Sequence, residues 1–345
     1  MAIPSEELEG LELSDGWVVT EKISKHIGAT GGSFSCGYKV KKGNNTAFLK
    51  ALDFSEAFRH PDPARKLQEL TEAFNFERDI LIKCKERHSS KIVTPICDGS
   101  VDVSGFHAGI GKVYYIIFEL AEGDIRKIKD QFLKIDIAFS FRALHNAAVG
   151  LQQLHKSGIA HQDLKPSNVM GFKNDYKVGD LGRSSDINKP FIYDNIPIPG
   201  DQNYAPIEQL YGFHFLNDFS EKIVADLYLL GSLFFFFFSG LSATQALRKK
   251  AKQMNVHFNN IFEEDLPEIE RVFSEVLVDM KKTILPIMPE NEVNEVTLLI
   301  KYLCSPDPRK RGYPGRSGAI NGNFYLERFI SKLDILAKKA EFGII

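Results

Sequence analysis

An acid, a lysine and an amide stand within six residues of one another near the middle of this chain, in His161-Gln162-Asp163-Leu164-Lys165-Pro166-Ser167-Asn168. A second acid follows twelve residues after Asn168, in Asp180-Leu181-Gly182. Phosphoryl transfer can use groups in this order. Asp163 can accept the proton of an attacking hydroxyl, and Lys165 can neutralise charge on the transferred group. Asn168 and Asp180 can offer magnesium the hard oxygen ligands it prefers.

The pattern His-x-Asp-Leu-Lys-Pro-x-Asn followed by Asp-Leu-Gly resembles the catalytic and metal-binding loops of eukaryotic-type Ser/Thr protein kinases. The resemblance implies ATP and Mg2+ as cofactors and a protein substrate with a Ser/Thr hydroxyl. Ala47-Phe48-Leu49-Lys50 is similar to the family's Val-Ala-Ile-Lys, so Lys50 would bind the ATP phosphates and pair with a helix glutamate. Glu77 is the best placed partner, because Ala73, Phe74, Ile80 and Leu81 share its helix face and an unpaired charge there is costly. Glu69 and Glu72 are the alternatives.

A glycine-rich stretch, residues 28–37, lies between two strand-like segments. In it Gly28, Gly31 and Gly32 let backbone N–H groups approach phosphate oxygens. It departs from the family's Gly-x-Gly-x-x-Gly-x-Val: Thr30, Ser35 and Gly37 stand at the first-glycine, third-glycine and valine positions. The valine packs on adenine in the family. Phe118 to Asp124 resembles the hinge between lobes. There the backbone of Glu119 and Ala121 would hydrogen-bond adenine, Phe118 would limit the rear pocket, and Asp124 would reach the ribose. Tyr204-Ala205-Pro206-Ile207-Glu208 resembles the end of the activation segment, with Arg311 as the buried partner of Glu208. Asp226 and Gly231 resemble the start of the central helix, whose aspartate holds the catalytic loop's backbone. Two departures stand out. Gln162 replaces the arginine that binds an activation-loop phosphate, so activity is expected not to require that phosphate. Asp201 replaces a threonine that touches the catalytic aspartate and lysine. Ser184, Ser185 and Tyr193 are the hydroxyl candidates in the loop.

The elements that must position these groups read as an α+β plan, strands first and helices later. Strands are expected over residues 17–27, 38–42, 46–52, 92–96 and 113–120. Helices are expected over 64–84, 135–155 and 325–342, with helices dominating from Glu221 onward. This order is similar to a bilobed protein-kinase fold with a small β-rich N-lobe and a larger helical C-lobe, ATP binding between them. Residues 1–16 would be an N-terminal extension, 17–119 the N-lobe and 120–345 the C-lobe of a single kinase domain.

Composition sets the outer bounds. The 345 residues carry a formal net charge of −2, which gives no electrostatic case for nucleic acid or membrane. The four cysteines lack Cys-x-x-Cys spacing and fit reduced thiols in a cytoplasmic compartment. The apolar run Leu227 to Phe238, with five consecutive phenylalanines, is too short to span a bilayer and reads as a buried helix. Arg248, Lys249, Lys250 and Lys252 read as a solvated helix face, with an acidic docking partner as the alternative. Three functions remain: an active Ser/Thr protein kinase, a pseudokinase scaffold, and a small-molecule kinase of the aminoglycoside type. Lys165 and Glu208 favour a protein substrate over the last.

Overall fold

The computed structural model describes residues 3–23, 35–55, 57–106, 111–173, 175–191, 194, 196–216, 218–314 and 325–345. Gly28, Gly31 and Gly32 of the glycine stretch, and Tyr193, lie outside the described residues. The chain divides into two compact units, one of Met1–Glu122 with Gly179–Gly182, the other of Gly123–Val178 with Arg183–Ile345.

The first unit is built on an antiparallel sheet of β1 (Val18–Ile23), β2 (Ser35–Lys42), β3 (Asn45–Leu52), β4 (Pro95–Asp102) and β5 (Lys112–Glu119), in the order β1-β2-β3-β5-β4. Side chains alternate across it. One face carries Tyr38, Val40, Ala47, Leu49, Tyr115 and Ile117, all buried. Leu8, Leu13 and Trp17 complete the same core, and Tyr38 donates to the Ser5 carbonyl at 2.7 Å. Residues 3–16, expected as an N-terminal extension, contribute Leu8, Leu11 and Leu13 to this unit's core. The other face carries Gly37, Phe48, Lys50, Ile116 and Phe118, matched by register across β2, β3 and β5.

β4 lies several residues beyond the expected 92–96. The apolar Ile92 and Val93 are buried ahead of the strand. The strand that pairs with β5 is instead the more polar run from Pro95 to Asp102. An edge strand accepts both the leading proline and the polar residues. The unit's long helix, α1 (Pro63–Glu86), starts where Asp62 caps it by accepting from the Arg65 N–H at 3.1 Å, with proline in the first turn. Its buried stripe of Leu70, Phe74, Glu77, Leu81 and Cys84 includes one charged residue.

The second unit opens with β6 (Gly123–Asp124), α2 (Ile125–Lys129) and α3 (Ile137–Lys156). β7 (Ile159–Ala160) then leads into the catalytic-type loop. β8 (Val169–Phe172) and β9 (Asp175–Val178) follow it in a sheet ordered β6-β8-β9, and β10 (Ser185–Asp186) pairs with β7. The loop from His161 to Asn168 is thus pinned at both ends by short strands.

The remaining helices are α4 (Ile207–Tyr211), α5 (Phe219–Ser239), α6 (Ala243–Gln253), α7 (Phe262–Ile284), α8 (Glu290–Leu303) and α9 (Glu327–Glu341). The phenylalanine run belongs to α5. At 21 residues α5 is longer than the run and is apolar enough to cross a membrane by length and composition, yet most of it is buried in the unit. It packs against α3, α6, α7 and α8. Gly231 of α5 lies so close to Cys304 that a methyl group there would meet its sulfur.

Candidate active site

In the first unit Lys50 and Glu77 meet. The lysine Nζ lies 2.8 and 3.0 Å from the two Glu77 oxygens and 3.4 Å from Asp180 Oδ1. Burial disfavours the Lys50 charge, but Glu77 and Asp180 outweigh it and hold the ammonium above the ordinary lysine value. The alternatives to Glu77 are engaged on the helix surface: Glu69 by Lys66 and Arg65, Glu72 by Gln68. Asp180 has a left-handed backbone, φ 56°, and its carboxylate is 38% exposed.

Gly37 and Phe48 complete this face. A Cβ on Gly37 would lie 2.9 Å from the Phe48 ring. That ring also packs on Phe118 with centroids 6.4 Å apart. Phe48 therefore fills the space a side chain at the valine position would take. Glu119 ends β5 opposite Ala47, and Ala121 lies in the short link that follows.

In the second unit Asp226, on α5, is fully buried. Its oxygens accept the backbone N–H groups of His161 at 2.8 Å and Gln162 at 2.7 Å, and it is also 2.8 Å from His155 Nε2. These bonds hold Gln162 at φ 61°, a conformation side-chain-bearing residues rarely adopt, and so set the direction of the next residue, Asp163. The Asp163 carboxylate is held on all sides. Oδ2 lies 3.0 Å from Lys165 Nζ and accepts from Asn168 Nδ2 at 3.2 Å. Oδ1 accepts the Asp201 N–H at 3.0 Å. Asn168 Nδ2 also donates to the Asp163 carbonyl at 2.8 Å.

With its NH2 group committed to Asp163, Asn168 presents its carbonyl oxygen as an acceptor. That oxygen, which accepts from Ser167 Oγ at 3.1 Å, is a hard donor in the second unit, as the part-exposed Asp180 carboxylate is in the first, the chemistry a magnesium ion accepts. Among the described residues no cluster of three or more His, Cys, Asp or Glu suggests a softer metal.

Asp124 caps α2, accepting from the Arg126 N–H at 2.9 Å. Both its oxygens also bind the Arg126 guanidinium, at 2.9 and 3.0 Å, so any ribose contact must share them. Ser184 and Ser185 are both buried, which withdraws them from modification in this conformation. The Gln162 amide donates to Ser185 Oγ at 2.5 Å. Burial, with Asp201 adding to it, pushes the Tyr204 hydroxyl up to about 12.

Glu208 and Arg311 form a buried two-pronged pair, both bonds 2.6 Å. It fixes the end of the 194–208 segment beneath α5, whose Val224 carbonyl accepts from the same guanidinium at 3.4 Å. Sequence reasoning anticipated this pair and Asp226. It missed the roles of Phe48, Gly200, Asp194 and Lys222, for which only Phe48, inside the Ala47–Lys50 motif, and Gly200, beside Asp201, had a local signal.

Residues 22–314 match the family model described as the protein kinase domain. The chain belongs to the protein kinase family. The kinase is 26% identical over 84% of its length to a probable serine/threonine-protein kinase of Dictyostelium discoideum, covering 14% of that protein. It is 23% identical over 60% of its length to a Wee1-like protein kinase of Arabidopsis thaliana, covering 36% of it. It is 27% identical over 52% of its length to the serine/threonine-protein kinase par-4 of Caenorhabditis elegans, covering 26% of it. The chain thus spans only a minor part of each of these relatives. Membership of this family implies a phosphotransferase that uses ATP with a divalent metal.

Proposed function

We propose that this kinase transfers the γ-phosphate of MgATP to Ser or Thr hydroxyls of proteins, and does so without phosphorylation of its activation segment. The observation that carries the reading is the Asp163 carboxylate, oriented at once by Lys165, Asn168 and the Asp201 N–H. A carboxylate so held can accept the proton of an incoming hydroxyl without reorganising. Two of the three relatives bear serine/threonine-kinase names, and Gln162 offers an activation-segment phosphate no charge to bind.

In this reading Asp163 orients and deprotonates the substrate hydroxyl, and Lys165 offsets charge on the transferred group. Lys50, held by Glu77, binds the ATP phosphates, the role the resemblance also implies for Gly28, Gly31 and Gly32. The backbone of Glu119 and Ala121 holds adenine, and Asp124, shared with Arg126, reaches the ribose. Asn168 and Asp180 would hold the magnesium, which neutralises phosphate charge when bound. Ordered contacts around a full set of reacting groups favour an enzyme over a scaffold.

The test is transfer from γ-labelled ATP to a generic protein substrate by wild type and Asp163→Ala, with phosphoamino-acid analysis of the product. Labelled Ser or Thr from wild type alone is expected, unchanged by prior phosphatase treatment. Equal transfer by folded Asp163→Ala overturns the mechanism.

A further inference from the structure

Lys222 stands in the first turn of α5, where the helix dipole disfavours a cation. Its Nζ lies 2.5 Å from Asp194 Oδ1 and 2.8 Å from Ser185 Oγ. The Ser185 hydroxyl donates to the same Asp194 oxygen and accepts from Gln162 Nε2 at 2.5 Å. Its one donor and two acceptor positions are thereby all filled. Asp194 Oδ2 accepts the Phe191 N–H at 2.7 Å. The ion pair is largely buried, with side chains 23% and 19% exposed, so it is stronger than a surface pair. One network joins α5, β10, the catalytic loop and the segment that begins at Asp194.

That segment leads to Asp163. Between Asp194 and Asp201 the chain includes Ile196-Pro197-Ile198-Pro199-Gly200. Pro197 and Pro199 fix φ at two of these positions, which limits how far residues 196–200 can adjust. At the far end Gly200 leaves no slack: a Cβ there would lie 2.6 Å from Asp163 Oδ1 and 2.7 Å from the Gln162 carbonyl. The next residue, Asp201, gives its N–H to Asp163 Oδ1 at 3.0 Å.

We propose that Lys222 is a positioning residue for Asp163, fixing through Asp194 the segment whose other end hydrogen-bonds the catalytic carboxylate. Gln162, joined to the same network through Ser185, fixes the preceding residue of the loop. The enzyme thereby carries its own anion and cation for holding this segment, supplied by Asp194 and Lys222. The inference rests on the reading of Asp163 as the base.

The test compares wild type, Lys222→Met, Lys222→Arg and Asp194→Asn, each as the full chain. Steady-state transfer to a generic protein substrate gives kcat and the KM for MgATP. Amide hydrogen exchange is followed over residues 196–201 and over α5. Loss of the clamp should lower kcat roughly 10²-fold in Lys222→Met and Asp194→Asn, the scale of a misplaced reacting group. KM for MgATP should stay within about twofold, a change of only some 0.4 kcal/mol in binding. Lys222→Arg should recover most of the rate, and exchange should quicken over 196–201 and not over α5. Should Lys222→Met fail to fold, the isosteric Asp194→Asn gives the same readings. Undiminished kcat in the folded variants, or an arginine variant as slow as the methionine one, overturns the proposal. A wild type that transfers no phosphate refutes the proposed function instead. The clamp is then judged by exchange alone, and unchanged exchange over 196–201 overturns it.

Discussion

The ring of Phe48 occupies the space that a side chain on Gly37 would need, 2.9 Å from where its Cβ would stand. In the family resemblance a valine at the Gly37 position covers adenine. Here the larger residue has moved to the neighbouring strand and the smaller one makes room. The face that carries Lys50 thus keeps an apolar cover from a different residue.

Gly37→Val should therefore act as an overpacking change. The ring cannot retreat without leaving Phe118, 6.4 Å away between centroids, so a loss of about 1–3 kcal/mol is expected. Combining it with Phe48→Ala should restore stability and ATP affinity towards wild type. Denaturant titration and an ATP-dependent thermal shift on the two single variants and the double variant check this. Additive losses in the double variant would show that the two residues do not share the space.

Glu77→Gln should weaken ATP binding without unfolding the unit. The amide keeps the size of the carboxylate but gives up the charge nearest Lys50, leaving Asp180 at 3.4 Å as its acid partner. A hydrogen bond between charged groups contributes on the order of 1.5–3 kcal/mol. Part of that order of energy appears as misplacement of the ammonium, for an expected rise in KM for ATP of about tenfold. Glu69→Gln and Glu72→Gln, whose partners lie on the helix surface, should leave KM unchanged. Steady-state kinetics on the three variants decide it.

Arg311→Met should be the most destabilising of the single changes considered. It strands the Glu208 carboxylate, only 6% exposed, without its partner. Breaking one side of a buried pair costs about 3–5 kcal/mol, because the remaining charge stays desolvated. Adding Glu208→Leu should recover part of the loss by removing that charge. Chemical denaturation of the single and double variants measures both effects.

What the sequence made legible divides along a physical line. Lys50, Asp163, Lys165, Asn168 and Asp180 sit in short motifs whose resemblance to the family's own implies their roles. Glu77 was legible because a charge on a buried helix stripe needs a partner, and β3 and β5 because apolar strands read plainly. The Lys222–Asp194 pair was not. Its members are 28 residues apart and each alone looks like a solvated charge. The packing of residues 3–16 was not legible either, because Leu8, Leu11 and Leu13 are scattered among acidic residues and their burial with the sheet has no local signal. β4 was displaced because the apolar Ile92 and Val93 are buried just ahead of the strand, while the run that pairs with β5 is more polar. Asp124 had a readable signal, an acid just before a helix, but the hinge reading took precedence over the cap.

The Asp194 carboxyl also predicts how the clamp depends on pH. Burial would raise its pKa, but the Lys222 ammonium, the Ser185 hydroxyl and the Phe191 N–H outweigh this and hold it below the ordinary value of 3.8. A carboxyl whose pKa is lower in the folded than in the unfolded chain favours folding above its unfolded pKa, and that contribution disappears as pH falls through the folded one. The stability difference between wild type and Asp194→Asn should therefore be constant from about pH 8 to about pH 5 and shrink below about pH 4. Asp186, His214, Asp218 and Glu221 line the same cleft and are present in both proteins, so the comparison changes only residue 194. Denaturation of both proteins across this range tests the sign. A difference that grows on acidification would mean that Asp194 is held protonated in the native state and that Lys222 does not bind it as a carboxylate.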